Sequence, residues 1–219
     1  MWHIVIDVSG MYPDDIYVGL VLFNDNYKPY FLNDFYREFP NLRPYNAKST
    51  RLDSDTLFGI LKFFDEKRLR MVCYHFRDFE WKKHERRINE LYSEISSNHK
   101  YRTNLHQFRE KIIGILYFYA ITQIGIKNDE YHVTMCSESN VDIWTISSTI
   151  KFLAKKEGWK INTAVNIRKI EHLLKMADYV AGANRKVEEF KLKTISRHIL
   201  LKDPIKDIDL KRVFHIWKN

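Results

Sequence analysis

The sequence predicts an α/β protein, a mixed sheet with helices on its faces. Three observations carry that reading. Apolar runs of strand length follow one another across short turns at the start of the chain. Further along, such runs alternate with stretches whose apolar residues recur at helical spacing. And 45% of the 219 residues are hydrophobic, with only 7 Gly and 5 Pro, which is the composition of a globular chain with a substantial core.

The elements read in order as follows. "WHIVID" is a buried strand that ends on Asp7. "DIYVGLVLFN" is a second strand and "KPYFLND" a third, joined by the turns "GMYPDD" and "NDNY" into an antiparallel meander. "RPYNAKST" is a loop. Asp53 or Ser54 caps a helix over "DTLFGILKFFDEK", in which Leu57, Ile60, Leu61 and Phe64 share a face. "RLRMVCYHF" is a strand. A helical insertion follows at about 80–126, charged in its first half and apolar in its second. "YHVTMCSE" is a strand, "VDIWTISSTIKFLAKKEG" a helix stopped by Gly158, "KINTAVNI" a strand, and "RKIEHLLKMADYVAGANRKVEEF" a long helix. The basic and apolar tail is expected to contain a docking helix. No repeat or linker divides the chain, so residues 1–219 read as one domain. Ribonuclease-H-like folds have this layout, a meander followed by alternating strands and helices with a mixed sheet.

Composition bounds the function. Lys and Arg outnumber Asp and Glu by 36 to 28, a net charge of +8. That excess favours anionic partners, nucleic acid first, with DNA and RNA undistinguished; an inert basic surface is the alternative. The two cysteines, Cys73 and Cys136, lie in apolar runs and read as core filler, not as a disulfide or zinc pair. The longest apolar run, "IIGILYFYAITQIGI", is about 15 residues, short of a membrane span, and the start carries no secretory pattern. A soluble cytoplasmic protein without a membrane partner is expected.

Asp7 closes an apolar strand, so the chemistry to look for is a carboxylate site. Asp178 is its best partner. In "HLLKMADYVAGAN" it stands four residues after Leu174 and three before Ala181, within the apolar stripe of its helix. Ala177, Ala181 and Gly182 are small enough to let that helix approach the sheet. A carboxylate there requires compensation, either by a metal or by Lys175, three residues earlier. Glu138 is a third candidate, at the carboxyl end of "YHVTMC", where ligands of α/β sheets collect; a surface-loop acid is the other reading. Asp142 reads as a helix cap.

The pair "IDVSG" and "KMADYVAGANR" resembles the domain-of-unknown-function-3800 family, whose members open on a strand ending Asp-Glu-Ser-Gly and close on a helix bearing Ala-Asp, two apolar residues and a small pair. The resemblance implies a ribonuclease-H-like fold and a metal-dependent nuclease, and it carries the family's acids onto Asp7 and Asp178. Such sites hold two magnesium or manganese ions about 3.5–4 Å apart. The chain departs from the pattern at Val8, where a glutamate is usual, at "MCSES", where Glu138 stands in for an aspartate, and at Lys175, where Gln is usual. Fewer acids leave a single-metal enzyme, or a binding protein without catalysis, as alternatives.

The basic residues expected to hold a nucleic-acid backbone are Lys175, Arg185 and Lys186 near Asp178, and Lys82, Lys83, Arg86 and Arg87 in the insertion. Glu80, Glu85, Glu90 and Glu94 alternate with the latter group, so a solvated, salt-bridged helix is the other reading there. His75 and His172 read as structural histidines. The expected function is a magnesium- or manganese-dependent nuclease or related phosphoryl-transfer enzyme with Asp7, Asp178 and Glu138 as catalytic metal ligands. The alternative is a catalytically inactive module that binds nucleic acid, a protein partner or a second copy of itself.

Overall fold

The structure, a computed structural model, describes residues 1–9, 16–24, 26, 28–42, 48–76, 86, 89, 90, 93, 105–136, 142–165 and 171–202. Its strands are β1 (Trp2–Ser9), β2 (Ile16–Asn24), β3 (Arg70–Phe76), β4 (Glu130–Met135), β5 (Lys160–Val165) and β6 (His198–Lys202). Its helices are α1 (Lys28–Glu38), α2 (Ser54–Glu66), α3 (Leu105–Ile124), α4 (Ile143–Glu157), α5 (Glu171–Lys186) and the single turn α6 (Glu189–Leu192). Short 3-10 turns form at Pro40–Leu42 and Ser49–Arg51.

The strands make one six-stranded mixed sheet in the order β5-β4-β1-β2-β3-β6. β1, β2 and β3 form an antiparallel meander. β4 is parallel to β1, β5 to β4, and β6 to β3. The expected ribonuclease-H-like α/β architecture is therefore present. Alternation along β1 divides the core in two. Ile4 and Ile6 face a cluster built with α3 and α4. Val5 faces the other cluster, built with α1, α2 and α5. Burial of each large side chain in these clusters stabilises the fold by about 2 kcal/mol.

Local signals account for most of the elements. Asp53 caps α2 by accepting from the Thr56 N–H, and Leu57, Ile60, Leu61 and Phe64 are buried along one side of it. Asp142 caps α4 by accepting from the Trp144 N–H, and α4 stops at Gly158, whose φ of 72° is the left-handed conformation that glycine adopts without strain.

Two expectations are corrected. "KPYFLND" is the start of helix α1, not a third strand. Its aromatic residues suggested β structure, but Phe31 and Phe35 are spaced for one helix face and both are fully buried. They meet Phe63 and Phe64 of α2, and Pro29 sits in the first turn, where its missing N–H costs nothing. The third strand of the meander is Arg70–Phe76 instead. The second lies in the tail, where His198–Lys202 is a strand that the sequence did not announce, since "HILLK" finds the open edge of β3; residues 203–219, where the docking helix was also open, lie outside the described residues.

Candidate functional site

β1 is a central strand, flanked by β2 and β4, and it carries Asp7 and Ser9 at its carboxyl end. Period-2 alternation puts both on the side of Val5, the side covered by α5. Asp7 pairs across the antiparallel ladder with Gly19. That glycine is required by the fold. A Cβ on it would lie 2.3 Å from the carbonyl oxygen of Ala177 and 2.7 Å from the N–H nitrogen of Ala181, both backbone atoms of α5. The helix thus rests directly on the strand beside Asp7. Cys136, just past β4, continues the ladder by donating its N–H to the Ile6 carbonyl and packs on the same side of the sheet. One oxygen of Asp7 accepts from the Val8 N–H at 2.9 Å. Ser9 is buried, and its hydroxyl has no hydrogen-bond partner among the described residues.

Asp178 is the residue after Ala177, on the flank of α5 next to its sheet-facing edge. Both of its oxygens are held by one residue. The Ser49 N–H donates to Oδ2 at 2.8 Å and the Ser49 hydroxyl donates to Oδ1 at 2.6 Å. Ser49 is fully buried, and it fits only because residue 182 is glycine: a Cβ there would lie 2.2 Å from Ser49 Cβ and 2.4 Å from its Oγ. Four residues further on, the Lys186 ammonium donates to the carbonyls of Ser49, Thr50 and Leu52 at 3.3, 2.7 and 2.8 Å. Asp178, Gly182 and Lys186 form one i, i+4, i+8 stripe that grips the Ser49–Arg51 turn, while Ala177 and Ala181 form a second stripe on Gly19. The Ala-Asp and Ala-Gly pairs of the helix are thereby explained by packing on two neighbours at once. Behind them, burial pushes the Tyr179 phenol well above its ordinary pKa, with smaller contributions from Tyr36 and the Asp178 charge.

The sequence reading offered a metal or Lys175 as compensation for Asp178; the observed partner is Ser49, which it did not single out. Only the small residue at 182, one turn after the acid, hinted at a close neighbour. Lys186 was expected to hold a phosphate, but its three ammonium protons are directed at backbone carbonyls. Lys175 is half-buried on α5 and Arg185 is exposed near its end. Arg86 is exposed and paired with Glu90 at 3.2 Å, the solvated ion pair of the alternative reading. Glu138, Lys82, Lys83 and Arg87 lie outside the described residues. His172 shares a hydrogen bond with the Tyr36 hydroxyl, and His75 stacks on Tyr17 with ring centroids 4.2 Å apart.

Asp7 and Asp178 lie on a shared side of the sheet, and carboxylate oxygens are the ligand type that magnesium and manganese take. The two acids do not suit a two-ion centre by themselves. Among the described residues there is no group of three or more His, Cys, Asp and Glu side chains able to hold a metal. Nor, among those residues, is any helix long and apolar enough to cross a membrane.

No family model and no curated protein matches the chain. Among solved structures, the chain is similar to the ribonuclease H2 from Pyrococcus horikoshii OT3, with 14% identity over 100% of this chain and 90% of that one and a TM-score of 0.47. It is also similar to a chain of the PCNA:RNase HII complex from Archaeoglobus fulgidus, with 13% identity over 100% of this chain and 91% of that one and a TM-score of 0.48.

Proposed function

We propose that the chain is a nucleic-acid-acting phosphodiesterase of ribonuclease-H-like type, related to the domain-of-unknown-function-3800 family and forming one domain over residues 1–219. Asp7 and Asp178 are its ion-binding acids. The single observation that supports this reading most is the contact of Ala177 and Ala181 with Gly19, which brings the Asp178 helix onto the strand next to Asp7. A magnesium or manganese ion bound there supplies an activated water and neutralises charge on the phosphate. The protein's part is to hold the two carboxylates still. Ser49 fixes both oxygens of Asp178 and leaves each with unused lone pairs. Glu138 is carried as the third acid.

The test is cleavage of single- and double-stranded DNA and RNA with magnesium or manganese. Cleavage that requires the ion and falls by at least about a hundredfold in Asp7→Asn supports the reading. Asp7 is the better variant because Asp178 also holds a turn. Cleavage by Asp7→Asn at the wild-type rate would remove Asp7, and with it the proposed site.

A specific observation favours a second reading, a nucleic-acid-binding module without catalysis: the described residues offer no third acid, and Val8 follows Asp7. It predicts salt-sensitive binding that chelators leave unchanged, and no turnover.

A further inference from the structure

The turn that Asp178 holds carries charges of its own. Lys48 stands immediately before Ser49, and Arg51 ends the turn. Both are exposed. Lys48 is in extended backbone as the turn begins and Arg51 is its last residue, so the two cations flank the buried Ser49. The Arg51 N–H closes that turn on the Lys48 carbonyl at 2.9 Å. Arg185 of α5, also exposed, is two helical turns after Asp178 and therefore on the same side of the helix. Among the described residues none of these three cations has an acidic partner. Three lysines elsewhere on this half of the molecule do, Lys67 with Asp34, Lys191 with Asp55 and Lys193 with Glu189, while Lys62 of α2 does not.

The turn's position is also built with care. Ser49 is anchored through two hydrogen bonds to Asp178, is seated against the bare Cα of Gly182, and has its carbonyl end tied down by Lys186. A mere surface loop needs none of this. The same contacts that orient Asp178 fix beside it a turn whose two cations have no acidic partner among the described residues.

We propose that the Ser49–Arg51 turn is the phosphate-binding edge of the site, with Lys48 and Arg51 gripping a nucleic-acid backbone beside Asp178 and Arg185 extending the same track. This rests on the reading of Asp7 and Asp178 as an ion site on nucleic acid, but it is tested apart from cleavage. Contacts of this kind neutralise phosphates without reading bases, so they act alike on DNA and RNA.

The experiment is binding of fluorescent single-stranded DNA and RNA oligonucleotides in chelator, over a series of salt concentrations. It compares the wild type with Lys48→Ala/Arg51→Ala and with Lys151→Ala/Lys155→Ala. The second pair lies on α4, on the other face of the sheet, and removes the same net charge. Lys48 and Arg51 are exposed, so the first variant is expected to fold, and a thermal melt checks it. The expected result is about tenfold weaker binding by the Lys48/Arg51 variant alone. Its log–log salt slope should be shallower by about 1.4, the share of two phosphate contacts on a single strand. Equal weakening in both variants, no weakening in either, or a wild type that binds neither oligonucleotide would each overturn the proposal. If ion-dependent cleavage lost in Asp7→Asn coexists with unaltered binding by the Lys48/Arg51 variant, the turn is wrong and the ion site stands.

Discussion

Ser49 gives Asp178 two hydrogen bonds, from its backbone N–H at 2.8 Å and from its hydroxyl at 2.6 Å, across 129 positions of sequence. The pair joins α5 to a turn that precedes α2, and it ties the candidate site to the stability of the fold. Asp178→Ala would leave both donors of a fully buried residue without an acceptor. That variant is expected to lose about 3 kcal/mol, read as a lower urea midpoint at unchanged slope. Asp178→Asn keeps one acceptor and should lose less. If both variants unfold at the wild-type midpoint, the serine contact contributes nothing to stability.

Gly19→Ala should cost about 3 kcal/mol or more, because the new methyl meets backbone atoms of α5 and not the tip of a flexible side chain. The helix has to lift from the strand, so any ion-dependent cleavage should fall with stability. Gly59→Ala, where a Cβ meets nothing within 4 Å, is the matched control. It should stabilise α2 slightly, by up to about 1 kcal/mol. Chemical denaturation of both variants decides the matter.

His198 makes stability depend on pH. Asn184 donates its amide to the Val180 carbonyl, so its oxygen accepts from Nε2 of His198 at 2.9 Å. Burial holds the imidazole neutral and pushes its pKa down to about 4 from 6.5. Above pH 6.5 both folded and unfolded chains carry a neutral ring, and there is no effect. As pH falls from 6.5 towards 4, the unfolded chain takes up a proton that the folded one refuses, so stability declines across that window and levels off below it. Urea midpoints at pH 7 and pH 5 should differ, and the difference should shrink in His198→Gln, which retains a donor for Asn184.

The two thiols should behave differently towards an alkylating reagent. Cys73 is fully buried in β3, and burial pushes its thiol pKa far up. Cys136 is half-buried at the end of β4. In the native protein Cys136 is expected to react first, and Cys73 only at the rate of unfolding. Mass spectrometry of partially labelled protein distinguishes them; equal labelling of both would contradict the packing of β3.

Periodicity and caps made much of the fold legible. The apolar run up to Asp7, the α2 face closed by Asp53, and the α4 helix between Asp142 and Gly158 all follow from interactions within a few residues. The α1 helix was misread because Tyr and Phe also favour strands, and only the burial of Phe31 and Phe35 against α2 resolves that ambiguity. The β6 strand was missed because a short parallel edge strand has no turn of its own to announce it.

For the site, the sequence by itself determined which acids interrupt apolar stripes, Asp7 on a strand and Asp178 on a helix, because burial of a charge is visible as a break in pattern. Tertiary structure alone decided what surrounds them. Ser49 answers Asp178, Gly19 admits the helix, and Lys186 turns from phosphate towards backbone carbonyls. Each of these depends on two distant segments approaching within a few tenths of an ångström of contact, and a close approach leaves no trace in either segment beyond a glycine or an alanine.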